Sequence, residues 1–308
     1  MPDNQSDSTY SPQSLLRFAK LMVLLGVFAI LQGCSTIKVG YNNASSLGYW
    51  WLDGYADFND AQYPLVHDEL DRLMKWHRAV ELPKVAELLQ KMQPLLTNDV
   101  TPAQVCAAML EGRARVDAVA IHAIPGMVAV AQTITAEQRQ HIKRKLEKNN
   151  LQWTEDWNEG TPEERTNKRL KATVERAEQL YDTMEEKQIS LLRQLDATSG
   201  YDADLSFKER LRRQADLLQT LARINPPNPA DKPGTAQATV YVMEYLARNT
   251  TSPDPVYRAF SEKMYAESCN AFAIVHNSTT AKQRERAVKR LAAYARDARE
   301  LAEAKESN

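Results

Sequence analysis

The segment Thr161-Pro-Glu-Glu-Arg-Thr-Asn-Lys-Arg-Leu170-Lys-Ala-Thr-Val174-Glu-Arg-Ala177-Glu-Gln-Leu-Tyr181-Asp-Thr-Met184 decides the fold class. It opens with a Ser/Thr-x-x-Glu/Gln box, in which two side chains exchange hydrogen bonds with the orphan N–H groups of a helix start. Pro162 sits just inside that start, where its missing N–H costs nothing. Leu170, Val174, Ala177, Tyr181, Met184, Gln188, Leu191 and Leu195 then alternate steps of four and three, the period of one helix face. The pattern predicts a helix over 162–197, about 54 Å long if straight. An antiparallel neighbour within the chain would cover its apolar stripe.

The same box recurs at Thr101-Pro-Ala-Gln104, Thr135-Ala-Glu-Gln138, Ser206-Phe-Lys-Glu209 and Thr280-Ala-Lys-Gln283, and each predicts a helix start. From 102 to 123 the stripe is Val105, Met109, Gly112, Val116, Val119 and Ala123, with Pro125-Gly126 as its end. From 136 to 158 it is Ile142, Leu146, Trp153 and Trp157, and after the Ser206 box it is Phe207, Leu211, Leu218 and Leu221. A helix over 236–248 follows, and another starts at Pro253-Asp-Pro255 with Tyr265, Cys269, Phe272 and His276 on one face. The last runs from Ala281 with Ala287, Leu291, Tyr294, Ala298 and Leu301 inward. Upstream, residues 61–82 carry Val66, Leu70, Leu73, His77 and Val80 at helical spacing, and Pro83 opens a further helix with Val85, Leu88, Leu89 and Met92 inside. With ten glycines and almost no strand signal, the expectation is all-α, a bundle of eight or nine amphipathic helices. The Pro-rich stretch Asn225–Gly234 is the best candidate for an internal boundary or a mobile tip.

The amino-terminal segment has a separate logic. Arg17 and Lys20 precede the ten-residue apolar run Leu21–Ile30, followed by Leu31-Gln32-Gly33-Cys34. That is the layout of an export signal. As a helix the run spans only about 15 Å, half of what a bilayer crossing needs. The ending resembles the lipobox of bacterial lipoproteins, which implies cleavage before Cys34 and acylation of that residue. Two or more acyl chains would hold the protein firmly on a membrane. Ser35, rather than aspartate, implies by the same resemblance an outer-membrane destination facing the periplasm. The expected organisation is a signal peptide over 1–33, a tether and aromatic stretch over 34–60, and a helical domain over 61–308, divisible into halves 61–160 and 161–308.

With Cys34 committed to lipid, Cys106 and Cys269 remain. In an oxidising compartment they are expected to pair, with two buried free thiols as the alternative. Seven aromatic residues lie between Tyr41 and Tyr63, interleaved with three aspartates. They read as an element that docks its rings on the core. The other reading is an interfacial aromatic belt beyond the lipid, against which the aspartates weigh, because anionic lipid heads repel them.

The lipobox, the Tyr41–Asp57 stretch and the run Trp76-His77-Arg78 with Glu81-Leu82-Pro83 resemble a Gram-negative lipoprotein family of unknown function. That resemblance implies a helical periplasmic lipoprotein and supplies no catalytic residue. Thr135-Ala-Glu-Gln138 and Thr280-Ala-Lys-Gln283 are also similar to the Leu-Thr-x-x-Gln repeats of periplasmic chaperones of the Spy and CpxP type. Here Ile134 and Thr279 stand in place of the leucine.

Chemical motifs are sparse. The histidines His67, His77, His122, His141 and His276 form no metal-ligand spacing, and no nucleophile elbow, phosphate loop or dinucleotide fingerprint occurs. Glu137 and His141 share a helix face and read as a surface pair. No catalytic residue, metal or cofactor is expected. An enzyme would require carboxylates gathered with His77 around a pocket. Trp76, His77, Arg78 and Glu81 stand as an interaction or core site.

Lysine and arginine number 39 against 40 acids, a formal net charge of −1, so nothing in the global charge recruits nucleic acid. Three basic runs, around Arg139–Lys148, Lys208–Arg213 and Lys282–Arg290, read as solvated faces balanced by nearby acids. The partners expected are a membrane, through the acyl chains, and a protein whose identity the sequence does not name. The expected role is that of a non-enzymatic envelope adaptor, with a chaperone-like holdase as the alternative and a hydrolase behind both. Replacing Cys34 by serine should release the protein from the membrane fraction, as read by fractionation of cell envelopes. Unchanged fractionation would remove the lipid anchor.

Overall fold

A computed structural model describes residues 36–304. Cys34, the lipobox and the apolar run lie outside the described residues. The described chain is all-helical and has no strand. It divides into two units at Ala44 and Ser45. The first contains the short helix α1 (Thr36–Asn42).

The second unit begins within α2 (Ala44–Ala56). It continues through α3, built from Tyr63–Trp76, a π turn at His77–Glu81, and Leu82–Met92. Then come α4 (Pro102–His122), α5 (Ile124–Ala131), α6 (Ala136–Trp157), α7 (Pro162–Tyr181), α8 (Glu186–Ala197), α9 (Ala203–Ile224), α10 (Thr235–Thr250), α11 (Pro255–Asn277) and α12 (Ala281–Glu303). Among the described residues this makes twelve helices, not eight or nine. The added ones come from breaks that hydropathy does not register.

The predicted 162–197 helix is two helices. Asp182 takes a positive φ of 67° and ends α7, while the Met184 N–H is held by the Glu178 carboxylate. The apolar period runs on because Tyr181, Met184 and Leu192 all enter one core cluster from the two sides of the break. At Pro125 the opposite happens. The proline stands near the start of α5, bent by 43° from α4, where a helix end was expected.

Pro83 likewise opens no separate helix. Its ring has no N–H and crowds the carbonyl four residues back. The backbone widens instead, and the Leu82 N–H donates to the His77 carbonyl five residues earlier. The inserted residue rotates everything downstream, so Val80 is 40 % exposed and Glu81, Leu82 and Ala86 turn inward. The Ser206 box is also displaced. Asp202 caps α9, and Glu209 is a buried carboxylate further along the helix.

Two knots of glutamine join the helix starts. The Gln138 side chain closes the α6 cap and exchanges reciprocal bonds with Gln62 at 3.1 and 2.7 Å. Gln188 and Gln283 repeat the arrangement at 2.9 Å each way, joining the starts of α8 and α12. A third junction is ionic. Glu209 accepts bonds from Arg212, Arg213 and Ser252, and Asp216 from Arg248 and Arg212.

The Asn225–Gly234 loop is pinned, which argues against a mobile tip. Asn225 and Lys232 donate to the Ala131 and Gln132 carbonyls at the end of α5, where donors and positive charge are favoured.

Cys106 and Cys269 form the expected disulfide, with Cα atoms 5.3 Å apart, between α4 and α11. Around it pack Val100, Val105 and Ala273. Titration of the denatured, unreduced protein should find neither of these two thiols reactive.

His276 is fully buried. Its Nε2 must donate to the Asn98 carbonyl at 2.8 Å, so Nδ1 accepts from the Tyr181 hydroxyl at 2.7 Å. Burial lowers its pKa below the ordinary 6.5. The unfolded chain therefore takes up a proton first, and stability present above about pH 6.5 is lost as pH falls. For Glu209, burial raises the pKa, but Arg212, Arg213 and Ser252 together bring it down to about 2. Its contribution is present above about pH 4.5 and fades toward pH 2. Urea denaturation at pH 7.5, 6 and 5 should show a decline that is reduced in His276→Gln. Glu209→Gln should flatten the further decline below pH 4.5.

Candidate functional site

Seven helices of the second unit leave a cleft of about 820 Å³ between them, within the range of small-molecule sites. Its floor is apolar and built from core residues. Val66 of α3, Ala131 of α5, Ile142 of α6, Ile224 of α9 and Val242 of α10 line it, each less than 9 % exposed. The rim is wetter. Trp51 and Ile121 also line the cleft yet are 56 % and 66 % exposed.

α4 and α5 meet at a 43° bend, and Ala123 and Gly126 beside it, with Ala131 at the far end of α5, line the void. A Cβ at Gly126 would lie 2.9 Å from a Glu69 carboxylate oxygen, so glycine lets Glu69 settle against the first turn of α5. Carboxylates are favoured there by the helix dipole.

Its polar groups are few and already paired. Arg72 donates to both Glu69 oxygens at 2.7 and 2.6 Å. Arg210 donates to Asn150 at 2.8 Å, and Asn150 and Gln214 exchange amide bonds at 2.7 and 2.9 Å. Tyr245 also lines the cleft, and burial raises its pKa. The arrangement is an apolar floor with hydrogen-bonded groups at intervals. It can exclude water from an apolar guest.

The residues singled out from sequence do not line this void. Trp76 stacks on His122, a lining residue, with ring centroids 3.8 Å apart. Arg78 donates to the Leu301 carbonyl at 2.7 Å and so caps the end of α12. Glu81, 1 % exposed, accepts from Lys84 at 2.7 Å and from Arg115 at 3.1 Å. Burial lowers the His77 pKa, against the opposing charge of Glu81. The run thus sends Trp76 and Glu81 to α4 and Arg78 to the end of α12.

Other assignments shift as well. His141 faces Asp57 at 3.8 Å instead of Glu137. Members of the basic runs meet acids: Lys143 meets Glu147, Arg213 meets Glu209, Arg286 meets Asp182 and Lys289 meets Glu285. Among the described residues, no group of three or more His, Cys, Asp or Glu side chains is arranged to hold a metal ion. No single described helix is long and apolar enough to cross a membrane. The cleft itself has no sequence signature, because its lining comes from positions as distant as Trp51 and Tyr245.

The model of a family of unknown function, DUF6279, matches residues 54–232, more than half of the chain. That span contributes every wall of the cleft except Trp51, Leu52 and the α10 residues. No curated protein and no solved structure matches the chain.

Removing Arg115 should cost more than removing Glu81. Arg115→Leu leaves a buried carboxylate held by Lys84 alone, worth about 3 kcal/mol. Glu81→Gln strands no buried charge, since Arg115 and Lys84 are 31 % and 46 % exposed, and should cost about 1 kcal/mol. Chemical denaturation of the two variants checks the order.

Proposed function

We propose a binding role for this chain, which belongs to the DUF6279 family: a lipid-anchored, non-enzymatic envelope protein that holds an apolar guest in the cleft. The observation that carries this reading is the 820 Å³ void itself, floored by side chains that are otherwise core. A guest that covers the floor removes apolar surface from water, worth about 25 cal/mol per Å².

The guest that fits is an acyl chain or an apolar side chain of a partner. The lining offers dispersion contact along its length and few unpaired donors to read a polar pattern. The same feature suits the adaptor role, in which the guest is a partner's anchor residue. Envelope location, anchoring through Cys34 and an outer-membrane destination follow from the lipobox resemblance and are part of the proposal.

A holdase is the second reading. The apolar rim at Trp51 and Ile121 would favour it, since an unfolded client offers apolar side chains to such a surface. Failure to slow aggregation of an unfolded client at stoichiometric ratio removes it.

The experiment for the principal reading is titration with an environment-sensitive fatty-acyl dye. Saturable binding with one site per chain is expected, competed by unlabelled lauric acid. Met127→Trp and Leu217→Trp, which fill the void from α5 and α9, should each weaken binding at least tenfold. Wild-type protein without saturable uptake, or filled variants that bind as well, would remove the cleft as a site.

A further inference from the structure

The α2 helix has two apolar faces; one packs inward, and the other is exposed, with Trp51 at its edge meeting Tyr55 at 4.9 Å between centroids and reaching the rim of the cleft. Tyr49, Leu52 and Ala56 turn inward. Tyr49 meets Phe58 at 6.0 Å and Tyr63 at 4.8 Å between ring centroids, and Ala56 is buried. On the other side Leu47, Trp50 and Trp51 are 54 %, 73 % and 56 % exposed, with Ser46 and Gly54 beside them. At 100° per residue these five positions cover a single arc of the helix. The expectation that the aromatic stretch docks all its rings on the core is therefore wrong for this pair of tryptophans.

Of the three aspartates that spoke against a membrane role, Asp57 and Asp60 lie beyond the end of α2, and Asp53 lies off its exposed arc. Asp53 lies on the inward side, its carboxylate accepting the Phe58 N–H at 2.9 Å. Asp57 follows the helix end with a φ of 52° and faces His141. The outward arc of α2 carries no charge at all.

We propose that the Leu47-Trp50-Trp51 face of α2 docks on a bilayer, with the two indoles at the level of the lipid headgroups. Three observations converge on that occupant. Tryptophan is the side chain that partitions to the membrane interface, with its apolar ring in and its N–H wet. The face is uncharged, so anionic lipid does not repel it. The chain outside the described structure ends at residue 35 with a ten-residue apolar run and a lipobox-like cysteine. Leu47 follows Cys34 by thirteen residues, a reach of at most about 46 Å even fully extended. The docking rests on the lipid anchor at Cys34 proposed above, which chain length would hold within that reach of the exposed tryptophan pair. One acyl attachment leaves a protein free to swivel; a second contact fixes its orientation.

The test is fluorescence quenching of the full chain in phosphatidylethanolamine–phosphatidylglycerol vesicles (3:1) carrying lipids brominated near the headgroup. Of the five tryptophans, Trp50 and Trp51 supply the exposed emission. Wild-type emission should fall by about a third or more. The Trp50→Ser/Trp51→Ser variant, whose remaining tryptophans are Trp76, Trp153 and Trp157, should be quenched little. Because both rings are more than half exposed, circular dichroism of the variant should match wild type, and thermal unfolding should shift by no more than the loss of the Trp51–Tyr55 ring contact. If they do not, single substitution of each residue by phenylalanine should lower quenching in proportion to the emission lost. No wild-type quenching, or equal fractional quenching in the variant, overturns the proposal. So does a dimer in free solution that the double substitution dissolves, which would assign the face to a second copy.

Discussion

Four glutamine side chains hold the helix starts together. In each knot an amide oxygen accepts the backbone N–H that opens its own helix turn, while the amide nitrogen donates to a partner glutamine and to a distant carbonyl. Gln138 reaches the Asp57 carbonyl and Gln62 that of Thr133; Gln188 reaches Ser278 and Gln283 reaches Thr183. All four are less than 9 % exposed. Among the described residues no buried side-chain polar atom lacks a partner. A buried amide left half-satisfied is costly, whereas a complete network fixes one geometry. The rest of the fold inherits its register from these points: the starts of α3 and α6 are joined by one, those of α8 and α12 by the other.

Half of this device is legible in the chain. Thr135 and Thr280 announce their glutamines by the familiar box, and the structure confirms both caps. Their partners are hidden because Asn59 and Glu185 stand where Ser or Thr is sought, although each backbone N–H is held by the glutamine three residues on. All-α content was readable for the same reason that the breaks were not. Hydropathy records which side of a helix is covered, and Tyr181 and Met184 are covered on both sides of an interruption. Local backbone decisions, a positive φ at Asp182 or a widened turn before Pro83, leave no trace in that period.

The cleft and the pair of exposed tryptophans illustrate two other blind spots. A void is a property of seven helices at once, so no single stripe points to it. In α2 both faces are apolar, so composition cannot say which one the core takes. Tyr49 decides it by packing against Tyr63 and Phe58, and the aspartate that sequence reading places among the rings turns out to brace a turn. The Trp76–Glu81 run, read from sequence as an interaction or core site, contains a π turn and distributes side chains to the end of α12 and to α4.

The cross-link between α4 and α11 carries a combinatorial consequence. Three thiols in a chain allow three different bridges, and one of them, Cys106–Cys269, closes the fold described here. A wrong bridge to Cys34 would bind the amino-terminal segment to either helix and leave the correct partner stranded. Acylation of that sulfur, as proposed above, subtracts it from the set and leaves a single pairing available. Lipid attachment would then act as a proofreader of oxidation as well as an anchor, sparing the protein any need for an isomerase.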